Sequence, residues 1–202
     1  MALSKIQSES VNLADNFAFS GTVTGAGEPA GLVKLATTTV TTAVSEVEFG
    51  TAHVNSTYDN YYLTYTITPS ADNTTLRMRF LDTSQAQING STAYAGGAIN
   101  ESGNASTNTN GTNQMDINAS LGSASGESGS GQFWFGPVNE GANFPCQLNG
   151  FNNSINQSEN HQGRVHYFCL TKGNFQSVGG IKIHFTSGNV ESGKFTLYGV
   201  AK

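Results

Sequence analysis

The segment Asn60-Tyr-Tyr-Leu-Thr-Tyr-Thr-Ile-Thr68 places Tyr, Leu and Ile on one side of an extended chain and mostly Thr on the other, and it decides the fold class. A period of two is typical of a β-strand with one buried face. A second run, Thr75-Leu-Arg-Met-Arg-Phe-Leu-Asp82, alternates in the same way. The connection Pro69–Asn73 is rich in turn-forming residues. Together the two runs predict an antiparallel hairpin.

Similar short strand signals recur from Leu32 to the last residues, and no ten-residue stretch has a helical period with caps. The sequence therefore predicts an all-β fold, an antiparallel β-sandwich of the jelly-roll kind, over residues 32–202. The segment 83–131 is poor in large apolar side chains, so it is either an ordered loop or a set of weak strands. Because so long a structureless loop is unusual, we expect short strands near Ala93-Tyr94 and over Met115–Leu121.

Residues 1–31 have a different pattern, with single apolar residues scattered among polar ones. Val11–Phe19 reads as extended chain with one apolar face, and the glycine-rich stretch 25–31 reads as a hinge. A lone strand cannot bury its own apolar face, so we expect an extended arm that docks on other chains. The predicted docking residues are Leu3, Ile6, Val11, Leu13, Phe17 and Phe19. Three such arms wound together would give a homotrimer; the alternative is a monomer whose arm lies in a groove of another protein.

The charge and the hydropathy of the chain each argue against one class of partner. The formal net charge is −5, and no Lys or Arg occurs between Arg79 and Arg164, so a phosphate backbone has little to bind and no nucleic acid partner is expected. No apolar run approaches the roughly 20 residues that span a bilayer, so no membrane insertion is expected. The first residues lack the apolar core of a secretory signal peptide.

The candidate chemical groups form no recognisable catalytic motif. None of the four histidines is paired with Glu at helical spacing, and His166 and His184 are predicted on the polar sides of their strands. The sequence lacks the nucleophile-elbow, phosphate-loop and zinc-protease motifs, so it predicts no enzyme activity, no metal and no cofactor. Cys146 and Cys169 each lie in an apolar run and are expected to be free thiols, with a disulfide between neighbouring strands as the alternative.

The cluster Phe133-Trp134-Phe135 gives the one candidate ligand contact. On a strand, Phe133 and Phe135 share the core face and Trp134 points the other way. Trp134 either packs under the polar segment or at a subunit interface, or it is exposed and stacks on a sugar ring with help from nearby Asn and Gln side chains.

Parts of the chain resemble known proteins. The opening Leu3-Ser-Lys-Ile-Gln-Ser-Glu-Ser-Val-Asn-Leu-Ala-Asp-Asn-Phe-Ala-Phe-Ser-Gly-Thr-Val-Thr-Gly-Ala-Gly27 resembles the start of small structural proteins of tailed bacteriophages, especially marine ones. The stretch 58–73 with Leu76–Phe80, and the ending Ser187–Val200, resemble β-sandwich domains of the same virion proteins. The segment 83–131 has no such resemblance.

The resemblance implies a virion component without catalytic residues, assembled in the host cytoplasm and usually homo-oligomeric. It would be tail-fibre-like, at the tail tip or on the capsid surface, and its arm would dock on other virion proteins. The alternative function is a receptor-binding module that recognises a host-surface glycan.

Overall fold

The computed structural model describes residues 31–100, 105–140, 143–155 and 160–201. This part of the chain contains no helix and is built from β-strands. The strands are β1 Leu32–Val40, β2 Glu46–Phe49, β3 Tyr61–Pro69, β4 Thr74–Asp82, β5 Tyr94–Asn100, β6 Ala105–Thr112, β7 Met115–Leu121, β8 Gly129–Gly136, β9 Gln147–Ile155, β10 His161–Leu170, β11 Val178–Phe185 and β12 Val190–Val200.

The strands form two antiparallel sheets that enclose one core. The larger sheet has eight strands in the order β1-β12-β3-β8-β9-β10-β5-β6, and the smaller has four in the order β2-β11-β4-β7. Every pairing between these strands is antiparallel. The predicted antiparallel β-sandwich is thus confirmed.

The alternation in the sequence supplies the core. Tyr61, Leu63, Tyr65 and Ile67 of β3 are buried, as the period of two predicts. Aromatic rings pack across neighbouring strands: the Tyr61 and Phe135 rings stack with their centroids 5.2 Å apart. Each such side chain contributes about 1.5–3 kcal/mol on burial, so the aligned inner faces hold the two sheets together.

The predicted hairpin of β3 and β4 is wrong. Strand β3 pairs with β12 and β8 in the larger sheet, whereas β4 pairs with β11 and β7 in the smaller one. The connection between them bonds to the β11–β12 turn: the Ser70 amide donates to the Asn189 carbonyl at 2.9 Å, and the Asn189 amide donates to Ser70 Oγ at 2.7 Å. The connection therefore carries the chain from one sheet to the other, and the apolar sides of β3 and β4 both face the core.

Within the polar segment 83–131, the described residues include strands β5, β6 and β7 and the start of β8, as expected. Strand β7 spans Met115–Leu121, and β5 begins at Tyr94, which is fully buried. The Tyr94 hydroxyl donates to the Ile88 carbonyl and accepts from the Phe80 amide, both at 2.8 Å. These two bonds hold the start of β5 against the smaller sheet, although the segment around Tyr94 contains few large apolar residues.

The predicted arm falls outside the described residues, except for Gly31. Strand β1 begins at Leu32, the first residue of the predicted body. The six predicted docking residues and the homotrimer built on them therefore stay predictions. In the part of the chain that is described, no helix is long and apolar enough to cross a lipid bilayer.

Candidate functional site

The outer faces of the two sheets carry different chemistry. On the smaller sheet, Lys182 contacts Glu46 and lies 3.6 Å from Glu48, Nζ to Oε1. Arg77 Nε lies 2.7 Å from Asp116 Oδ1 on the neighbouring strand. These charges partner one another across β2, β11, β4 and β7, so the ionic groups named on this face are paired within the chain, and Lys182 is itself buried.

The larger sheet presents mainly aromatic and hydroxyl side chains, with Lys34 and Lys194 on its edge strand β1 and the neighbouring strand β12. Tyr198, Tyr62 and Trp134 are register partners on the adjacent strands β12, β3 and β8. The ring centroids of Tyr62 and Trp134 are 4.5 Å apart, and those of Tyr62 and Tyr198 are 6.0 Å apart. We call these three residues the aromatic row. Trp134 is 45% exposed, so the prediction that it points away from the core is confirmed.

A groove of about 440 Å³ lies beside the aromatic row. Trp134 forms one wall, and the amide side chains Asn60, Gln147 and Asn149 also line it. Asn149 is the register partner of Trp134 on β9. An amide group both donates and accepts hydrogen bonds, and an indole ring offers a flat apolar surface. The groove thus suits a ligand with one apolar face and several polar edges.

Sequence reasoning found Trp134 but missed the residues around it. Tyr62 was visible as an aromatic exception on the Thr side of its strand. Tyr198 and Asn149 gave no signal, because they join Trp134 only through the pairing of β12, β3, β8 and β9. The site therefore forms only when strands that are distant in the sequence pair side by side in the larger sheet.

His166 is on the opposite side of its strand from the predicted one. It is buried, with 1% exposure, and its Nε2 lies 2.6 Å from Asn152 Oδ1. Its ring packs on Phe133 at a centroid distance of 5.7 Å, across Gly150, the register partner of both residues, which has no side chain in the way. Burial, with a smaller effect of Arg164, lowers the pKa of His166 to about 3.

The prediction for β10 failed because apolar residues occupy both of its sides. His166, Phe168 and Leu170 face the core, whereas Val165 and Tyr167 are exposed. His184 is on the outer side of the smaller sheet, as predicted, but it is partly buried there. Burial lowers the pKa of His184 as well.

Both cysteines are free thiols in the structure, as expected. Cys146 is buried and Cys169 is partly exposed on β10. Burial raises the pKa of each thiol. Across the described ranges, no three His, Cys, Asp or Glu side chains are grouped so that they could hold a metal ion.

Comparisons with known proteins give no family. No protein-family model matches the chain, and no curated protein matches it significantly. The fold is similar to part of the structure of sucrose-6-phosphate hydrolase from Lactobacillus gasseri, with 11% identity and a TM-score of 0.25. That likeness covers 78% of this chain and 28% of the hydrolase chain. At this level it carries no argument about function.

Proposed function

We propose that this chain is a non-enzymatic structural component of a bacteriophage particle, tail-fibre-like or on the capsid surface. Residues 1–31 would dock on other virion proteins, and the β-sandwich would be the exposed body. The observation that carries the proposal is the resemblance of the two ends and of the stretch 58–73 to virion proteins. The all-strand body, with charged residues at only 11% of the chain, suits this role.

The proposal is tested on particles of the virus that encodes this chain. Mass spectrometry of gradient-purified particles should find the protein in stoichiometric amount, and an electron-microscopy map should show the sandwich on the outside. A protein that stays in the soluble fraction of the lysate and is absent from the particles would contradict the virion role.

The division into arm and body has its own test. A variant lacking residues 1–27 should remain folded and soluble but should no longer join the particle. The deletion removes the six apolar arm residues, each of which would contribute roughly 1.5–3 kcal/mol, before ordering costs, to the free energy of docking. A deletion product that aggregates or unfolds would show that the arm belongs to the sandwich.

A second candidate function is recognition of a host-surface glycan, favoured by the aromatic row and the amide-lined groove. A sugar ring would stack on Trp134 while its hydroxyl groups bond to Asn149 and Gln147. A glycan array probed with the full chain should give hits that the variant Trp134→Ala loses. Phe144→Ala is the matched control, because Phe144 is an exposed aromatic that does not line the groove. An array without hits, or equal loss in both variants, would contradict this function.

A further inference from the structure

Exposed apolar side chains are concentrated on one half of the larger sheet's outer face. Ile99, Val165 and Phe151 are register partners on the adjacent strands β5, β10 and β9, so they form an unbroken row. Tyr167 follows on the same side of β10, and Trp134 lies diagonally across from Phe151 on β8. These five residues, which we call the apolar patch, are 39–57% exposed.

The apolar patch is at the upper end of what a monomeric protein exposes. With these fractions, its five side chains expose on the order of 500 Å². Single exposed apolar residues are normal, whereas a contiguous patch of this size is often a functional surface. The other exposed large apolar residues of the described chain are Leu32, Val44 and Phe144, and they lie on β1 or in loops.

The strands that carry the patch are nearly free of charge. Strands β5, β8 and β9 contain no acidic or basic residue. Strand β10 carries His161 at its first position and one permanent charge, Arg164. Arg164 is partly buried and lines a groove together with Ile99 and Phe151. A face that packs against its own copy meets its own charges, so self-association requires a neutral or self-complementary surface.

A stable contact needs more area than the apolar patch alone, so it has to include the polar residues around the patch. A standard interface buries about 800 Å² on each partner, with an apolar centre and a polar rim. The apolar patch would supply the centre, and the flanking Asn149, Gln132 and Asn153 on the same face would supply the rim. Two flat sheet faces can pack about 10 Å apart with their side chains interdigitated.

We propose that the apolar patch is a self-association face, on which two copies of this chain pack their larger sheets against each other about a two-fold axis. The same surface on both copies requires two-fold symmetry. The inference does not depend on the virion role, and it competes with the glycan function, because both need the exposed face of Trp134. It also differs in stoichiometry from the trimer predicted for the arms, so a mass measurement separates the two.

The full chain is tested at increasing concentration by sedimentation velocity and native mass spectrometry. We expect the 21.2 kDa chain to form a species of twice that mass in the micromolar range. Val165→Glu, at the most exposed position of the patch, places like charges on both sides of the interface and should raise the dissociation constant at least about tenfold. Val44→Glu is the matched control, since Val44 is 38% exposed and outside the patch.

Trp134 provides an independent readout because it is the chain's only tryptophan. Its fluorescence should shift to the blue as the wild-type chain associates, and Val165→Glu should abolish this shift while the far-ultraviolet circular dichroism stays unchanged. A wild-type chain that stays monomeric at 100 µM would overturn the proposal. So would a trimer, or a dimer that Val165→Glu and Val44→Glu weaken equally, because either result places the contact elsewhere.

Discussion

The two sheets enclose the same core, but their outer faces differ in whether the side chains find partners within the chain. On the smaller sheet, Lys182 and Arg77 contact acidic partners on adjacent strands, so the face is complete within one chain. On the larger sheet, the aromatic row and the apolar patch remain partly exposed, with amide and hydroxyl groups around them. The larger sheet is therefore the face on which to look for a ligand or a partner, because the charges named on the smaller sheet already have partners within the chain.

The largest effect should separate the two sides of a single strand. Phe133→Ala removes a fully buried ring and should cost about 3–5 kcal/mol of unfolding free energy. Trp134→Ala, one residue away on the outer side, should cost less, about 1–2 kcal/mol, because its ring is already half-exposed and loses mainly its contact with Tyr62. Urea unfolding of both variants measures the difference. Equal losses would show that Trp134 is covered in the folded chain.

The second effect is the pH dependence of stability that arises from His166, which is buried on the core side of the larger sheet. The folded pKa of His166, about 3, is below the ordinary 6.5, so the unfolded chain binds the extra proton between these values. Stability is therefore fully present above pH 6.5 and is lost as the pH falls toward 3. The loss from His166 between pH 7 and pH 5 should be about 2 kcal/mol.

The variant His166→Gln tests this effect, because glutamine keeps a donor for Asn152 and removes the titrating ring. Thermal or urea unfolding between pH 4 and pH 8 should show a flatter dependence in this variant. His161→Gln, which changes an exposed histidine of the same strand, is the matched control. The lowered pKa of His184 should leave a smaller slope of the same sign in both variants. An unchanged slope in His166→Gln would contradict the burial of a neutral His166.

A smaller effect should distinguish charges on the two outer faces. Lys182→Gln leaves Glu46 and Glu48 without their cation and should cost about 1–2 kcal/mol, less than in a fully buried pair because both carboxylates are partly exposed. Lys194→Gln, on the exposed side of β12, should change stability by less than about 0.5 kcal/mol. The difference should shrink in 0.5 M salt. Equal losses of unfolding free energy in the two variants would show that the ion pairs of Lys182 do not stabilise the smaller sheet.

The smallest effect is a difference in thiol reactivity. Cys169, partly exposed on the strand that carries the apolar patch, should react with a thiol reagent in the native protein at pH 8, whereas buried Cys146 should react only after unfolding. Burial raises the pKa of both thiols, so even Cys169 should react more slowly than a free cysteine. The variant Cys169→Ser isolates Cys146. A fast native reaction in that variant, or no free thiol after denaturation, would contradict the structure here.

Much of the fold could be predicted from local pattern, but the strand pairing could not. The burial of Tyr61, Leu63 and Tyr65 follows from alternation, because successive strand residues point to opposite sides. Two consecutive strands show the same alternation whether they pair as a hairpin or lie in opposite sheets. The pattern alone therefore does not distinguish the predicted hairpin of β3 and β4 from the observed arrangement. The bonds from Ser70 to Asn189, more than a hundred positions away, distinguish the two arrangements.

The candidate site shows the same division. By itself the sequence determined an all-β fold with little charge and an outward Trp134, because these depend on composition and on a period of two within one strand. Only the tertiary structure placed Tyr62, Tyr198 and Asn149 beside Trp134, and only it turned His166 inward against Phe133. The physical reason is that register between strands distant in sequence is set by the fit of whole faces around a common core, which no single segment specifies.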